Sequence, residues 1–156
     1  MEKIAIFPGS FDPFTIGHES VVIRSKDLFD KIIVAVGVHS GKQPLMSIEM
    51  RVAMIEDVFR NDDKITCQSF EGLTVDFCKK VNAKYMLRGI RTAADFEYER
   101  AIAQINKKML PEVESIFLLT NPEHTPVNST IIRDIIRNHG DASQFLPAGI
   151  DFKKYL

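Results

Sequence analysis

A chain of 156 residues is long enough to bury one core without disulfides or a structural metal, and a single domain over residues 1–156 is expected. With 45% hydrophobic and 26% charged residues, disorder and fibrous repeats are excluded, and a net charge of −1 supplies no global field for nucleic acid or an anionic membrane. The start M-E-K-I-A-I-F-P-G lacks the basic and long apolar regions of a signal peptide, and no run reaches the ~18 apolar residues of a membrane span, so a cytoplasmic protein is expected.

Five short segments rich in Ile, Val, Phe and Leu read as strands: Lys3 to Phe7, Lys31 to Val38, Lys64 to Phe70, Tyr85 to Ile90 and Glu114 to Leu119. The runs I-I-V-A-V-G-V and S-I-F-L-L are nearly continuous, as in parallel strands covered on both faces. Helical spacing falls between them. From about Gly17 to Phe29, the residues Val21, Val22, Ile23, Leu28 and Phe29 form one stripe, and Ile48 to Phe59 repeats the pattern behind Ser47 as an N-cap. Leu73 to Val81 and Ala93 to Met109 also read as helices, the latter stopped by Pro111, and Asn138 to Leu156 as a short terminal element. Cys67 and Cys78 have no close Cys or His partners for zinc and read as buried free thiols. The alternation predicts an α/β fold: a Rossmann-like open parallel sheet of five strands with helices on both faces. Ligands in such sheets gather beyond the strand C-termini, so the loops after the first, second, fourth and fifth strands are the places to search.

After the first strand comes P-G-S-F-D-P-F-T-I-G-H, a loop running into a helix start. Gly9 permits a close turn, Ser10 brings a hydroxyl, and Gly17 and His18 sit where a helix N-terminus offers free N–H groups to a phosphate. His18 can donate to a phosphoryl oxygen as charge develops, or can simply cap its helix. After the second strand, Lys42 in H-S-G-K-Q-P is either a mobile cation bridging substrate anions or an ordinary solvated lysine, and His39 is unassigned. After the fourth, L-R-G-I-R places Arg88 and Arg91 around Gly89, two guanidinium forks beside a backbone that a ligand can approach. Glu99 on the following helix can meet a ribose hydroxyl or stand in solvent. After the fifth, Ser129 and Thr130 precede an apolar helical run, an N-cap signature whose hydroxyls can also hold phosphates.

Thr15-Ile16-Gly17-His18 resembles the T/H-x-G-H signature of nucleotidylyltransferases, while the P-loop and G-x-G-x-x-G patterns do not occur. With R-G-I-R-T-A-A-D-F-E-Y-E and a later S-T-x-x-R, the whole chain is similar to the bacterial phosphopantetheine adenylyltransferase family. That resemblance implies adenylyl transfer from ATP to 4′-phosphopantetheine, giving dephospho-coenzyme A and pyrophosphate. It implies that Ser10, Phe11 and His18 face ATP, with His18 stabilising the transition state. Lys42 and Arg88 would bind the acceptor's phosphate, with Ser10 and Thr74 lining its site. Gly89, Ile90, Arg91 and Glu99 match adenylate-binding positions, as does the loop of His124, Thr125, Pro126, Val127, Asn128, Ser129 and Thr130. The resemblance also implies Mg2+ as cofactor, coenzyme A as a product-site ligand and a homohexamer. Ser10, Asn128 and Asp134 stand where the family often has threonine, serine and glutamate. In-line transfer needs no protein nucleophile or general base, since the acceptor's phosphate is already ionised near neutrality. No dense carboxylate cage is visible, so nucleotide and water would hold the magnesium. The rival readings are a nucleotidylyltransferase using nicotinamide mononucleotide or CTP, and a nucleotide sensor that transfers nothing.

Overall fold

The computed structural model describes residues 1–38 and 43–156. Strands β1 (Ile4–Gly9), β2 (Lys31–Gly37), β3 (Ile65–Phe70), β4 (Tyr85–Ile90) and β5 (Glu114–Leu119) form one sheet in the order β3-β2-β1-β4-β5. All four pairings are parallel, as the strand–helix alternation predicts. The intervening helices are α1 (Ile16–Ser25), α2 (Ile48–Val58), α3 (Thr74–Val81), α4 (Ala93–Met109) and α5 (Ser129–Arg137).

Period-two alternation sends successive strand residues to opposite faces. Ala5, Phe7, Ile32, Val34 and Val36 pack beneath Val21 and Val22 of α1 and Ile55 of α2. Ile4, Ile6, Ile33 and Ala35 pack on the other face against Val75, Phe77 and Cys78 of α3. Every residue of β2 after Lys31 is buried, which explains its unbroken apolar run. A third cluster seats the tail: Ala142, Leu146 and Tyr155 close over Met54 of α2 and Ile132 of α5, and the Tyr155 hydroxyl donates to Asp57.

The structure departs from the sequence pattern at several places. The first helix stops at Ser25 and continues as a 3₁₀ turn over Lys26–Leu28, so the expected stripe splits: Phe29 is buried but Ile23 and Leu28 are exposed. The run S-I-F-L-L belongs to edge strand β5 and is only partly covered. Cys67 is half-buried and Cys78 buried, and burial pushes the two thiols up to about 12 and about 11, which keeps them protonated and unreactive near neutrality. No helix of the described residues is long and apolar enough to cross a membrane.

Candidate active site

The strand order reverses between β1 and β4, so the chain leaves the two strands toward opposite edges of the sheet. Their ladder holds only Ala5 opposite Tyr85 and Ile6 opposite Met86, whereas β1 and β2 stay in register from Ile4 to Gly9. Beyond Ile6 and Met86 a crevice opens at the strand C-termini. Arg88 spans it. Its Nη1 donates to the Pro8 carbonyl at 2.6 Å, and its Nε and Nη2 grip the Glu99 carboxylate of α4 at 2.8 and 2.6 Å.

The end of β1 and the loop after it are held from three directions. Arg88 takes the Pro8 carbonyl, Arg51 of α2 takes that of Ser10 at 2.8 Å, and Arg133 of α5 takes that of Asp12 at 2.8 Å. The buried Asp12 carboxylate accepts the backbone N–H groups of Leu45 and Met46 at 2.8 and 2.9 Å. Gly9 ends the strand rather than forming a turn. A Cβ on it would lie 2.8 Å from the Phe11 ring, so the glycine makes room for Phe11, whose left-handed backbone (φ 48°) costs about 1–2 kcal/mol and is held by packing on Phe7 and Phe14.

His18 sits at the third position of α1 in a capping box with Thr15. The Thr15 N–H donates to Nδ1 at 2.9 Å, the Thr15 hydroxyl lies 3.2 Å from the same nitrogen, and Thr15 Oγ1 accepts the His18 N–H at 3.3 Å. With Nδ1 accepting, the neutral ring carries its proton on Nε2. Although His18 as a residue is half-buried, its ring is walled by Phe7, Phe11 and Phe14, with centroids 6.3, 5.0 and 5.4 Å away. That burial, reinforced by the Arg91 and Arg88 guanidiniums, lowers its pKa from 6.5 to about 3. The imidazole is therefore a neutral hydrogen-bond donor at physiological pH.

Two cavities meet here. The first, about 390 Å³, is lined by Ser10, Phe11, His18, Arg88, Gly89, Arg91 and Glu99 together with His124 and Val127 to Thr130. The second, about 340 Å³, takes in Thr74, Met86 and Asn106. Pro8, Gly9, Ser10, Arg88 and Glu99 line both and form the wall between them. Ile90, Thr125 and Pro126 line neither, Ile90 because its side chain is buried. Lys42 lies outside the described residues. The cap of α5 falls on Asn128, whose side chain accepts the Ile131 N–H at 2.9 Å, rather than on Ser129 or Thr130. Ser129 instead donates to the Pro13 carbonyl at 2.9 Å, and Thr130 accepts from Arg133 at 3.1 Å. Gly89 serves packing too, since a Cβ there would meet Val21 at 3.0 Å.

Sequence reasoning did not single out Asp12, Asp95 or Asn106, and it took Thr15 and Arg133 only as members of the T-x-G-H and S-T-x-x-R motifs. Asp95 had a local signal, four residues beyond Arg91, and it accepts from the Arg91 backbone and Nε, both at 3.1 Å. The first cavity holds three arginines, Arg88, Arg91 and Arg133, against three carboxylates, Asp12, Asp95 and Glu99. Each carboxylate already accepts N–H donors, and among the described residues no cluster of His, Cys, Asp and Glu is placed to hold a metal. An anion entering this cavity would face the remaining guanidinium hydrogens, His18 and the N-termini of α1 and α5.

A cytidylyltransferase-like family model matches residues 6–135. The chain is 47% identical over 149 residues to a phosphopantetheine adenylyltransferase of Flavobacterium psychrophilum, covering 96% of this chain and 98% of that one. It is 50% identical over 142 residues to one of Leptospira biflexa, covering 91% and 88%. A solved bifunctional NMN adenylyltransferase/ADP ribose pyrophosphatase from Francisella tularensis superposes with a TM-score of 0.74 at 19% identity, over 97% of this chain. The chain spans about half of that structure's length, 47%, and the likeness is one of fold.

Proposed function

Because the chain belongs to the phosphopantetheine adenylyltransferase family, we propose that ATP occupies the first cavity, 4′-phosphopantetheine the second, and that the reacting phosphates meet at the wall between them. The enzyme is an adenylyltransferase. An oxygen of the acceptor's phosphate attacks the α-phosphorus of ATP, the bond to the β-phosphate breaks, and dephospho-coenzyme A and pyrophosphate leave. The observation that carries the two-cavity reading is the set of residues lining both, Pro8 to Ser10 with Arg88 and Glu99.

In this reading His18 Nε2–H donates to an α-phosphoryl oxygen and strengthens its bond as negative charge builds, which lowers the barrier selectively. The N-termini of α1 and α5 and the Asp95-held Arg91 receive the nucleotide phosphates. Arg88 holds the acceptor's phosphate, and Lys42, as the family resemblance implies, adds a second cation. In the second cavity Asn106 donates to Met86 Sδ at 3.5 Å, a weak acceptor, so its amide is free to bond the acceptor's polar arm. Magnesium fits as an ion carried by the nucleotide and water, since the cleft carboxylates are already bonded, and it would supply charge neutralisation on the phosphates. Coenzyme A, which contains both halves of the product, suits the joined cavities as a product-site ligand. We read the enzyme as cytoplasmic, beside its ATP supply.

Self-association, as a homohexamer by family resemblance, is supported by α4. This 17-residue helix buries Asn106 alone and exposes Tyr98, Ile102, Ile105 and Met109 at spacings of four, three and four residues.

Pyrophosphate release with ATP and 4′-phosphopantetheine, set beside nicotinamide mononucleotide and CTP controls, tests the function. Release with the first pair alone is expected. Preference for a control would favour another nucleotidylyltransferase, and no release with any pair a nucleotide sensor.

A further inference from the structure

Glu99 was expected at the ribose or in solvent, yet both of its carboxylate oxygens are taken by one guanidinium. The side-on fork from Arg88 Nε and Nη2, at 2.8 and 2.6 Å, uses two of the five N–H donors an arginine carries. A third goes to the Pro8 carbonyl at 2.6 Å, where the β1–β4 ladder has stopped. One hydrogen on Nη1 and one on Nη2 remain, enough for a bidentate grip on one phosphate. Both residues are largely sheltered, with side-chain exposures of 28% and 14%, and both line the wall between the cavities.

We propose that Glu99 is a positioning residue for Arg88: its carboxylate, with the Pro8 carbonyl, sets the guanidinium so that its remaining donors meet the phosphate of the acceptor. This rests on the assignment of Arg88 to the acceptor's phosphate. In Coulomb terms alone a carboxylate beside Arg88 weakens anion binding, so the pair makes sense as a device for direction. An untethered arginine would have to give up its rotamer freedom on each binding event, whereas this one has already given it up in folding.

Charge and direction predict opposite signs. If Glu99 only offsets charge, Glu99→Gln tightens the acceptor. If it positions Arg88, Glu99→Gln raises the KM for 4′-phosphopantetheine by about tenfold, the loss expected for one misdirected charge-assisted hydrogen bond, and leaves the KM for ATP within about twofold. Glu99→Asp, which keeps the charge but shortens the reach, should also raise the acceptor KM and serves if the glutamine variant does not fold. The deciding measurement is the double-mutant cycle with Arg88→Ala. A raised acceptor KM in Arg88→Ala with no further change on adding the Glu99 substitution supports positioning. The same Arg88→Ala result with a Glu99 effect that falls on ATP, or persists at full size without Arg88, overturns the inference and leaves the proposed function standing. An acceptor KM unchanged in Arg88→Ala overturns the assignment of Arg88 itself.

Discussion

The role proposed for His18 depends on which nitrogen holds the proton. Thr15 directs a backbone N–H at Nδ1, and the aromatic wall with Arg91 and Arg88 keeps the ring neutral, so Nε2–H is the donor across the physiological range. Replacing His18 with alanine should lower kcat by ~10²-fold while moving the KM for ATP little, as for a lost oxyanion donor. Steady-state kinetics check this, and an unchanged kcat would remove His18 from the chemistry. The lowered pKa also has a stability consequence. Below about 6.5 an unfolded chain protonates this histidine while the folded chain does not until about 3, so its contribution is whole above pH 6.5 and lost as the pH falls toward 3. Urea midpoints between pH 7 and pH 4 should therefore fall less steeply in His18→Asn than in the parent. That His18, Arg88 and Arg91 share one cavity was legible because Arg88 interrupts an apolar strand, Arg91 follows it directly, and His18 lies in the first turn of the helix behind the β1 loop. Asp12 and Asn106 were not, because their partners Leu45, Met46 and Met86 arrive only through long-range contacts.

Among the elements, α5 shows how a terminus can be misread by one residue. Ser129 and Thr130 are good cap residues, but the position goes to Asn128, and the two hydroxyls turn to Pro13 and Arg133 instead. Ser129, through the Pro13 carbonyl, and Arg133, through that of Asp12, tie this helix to the loop after β1. Asn128→Ala should cost about 1 kcal/mol in equilibrium unfolding, and Asn128→Ser, the residue frequent in the family, much less. A neutral alanine would mean that the contacts of Ser129 and Arg133 suffice. Strand existence was readable from apolar runs alone, whereas the exposure of β5 was not, since a central and an edge parallel strand differ in neighbours rather than in composition. The early end of α1 had no strong breaker to announce it. The chain simply tightens into a 3₁₀ turn, where Lys26 pairs with Asp62 at 2.8 Å.

Over the whole molecule, strand order places the crevice, and strand order is a topological fact that periodicity foreshadows only through the right-handed crossover rule. The same sheet leaves α4 with an apolar stripe that one copy does not cover. Light scattering should give a mass of several chains, and Ile105→Glu, at a position 55% exposed in the single chain, should lower it without unfolding the protein. An unchanged mass would remove the stripe from the interface. Two ligands sharing one wall would be visible in a crystal structure with dephospho-coenzyme A bound. The adenylate is expected in the cavity of His18 and Arg91, the pantetheine arm beside Thr74 and Asn106, and the diphosphate bridge between His18 and Arg88. Density confined to one cavity, or lying away from Arg88, would contradict it.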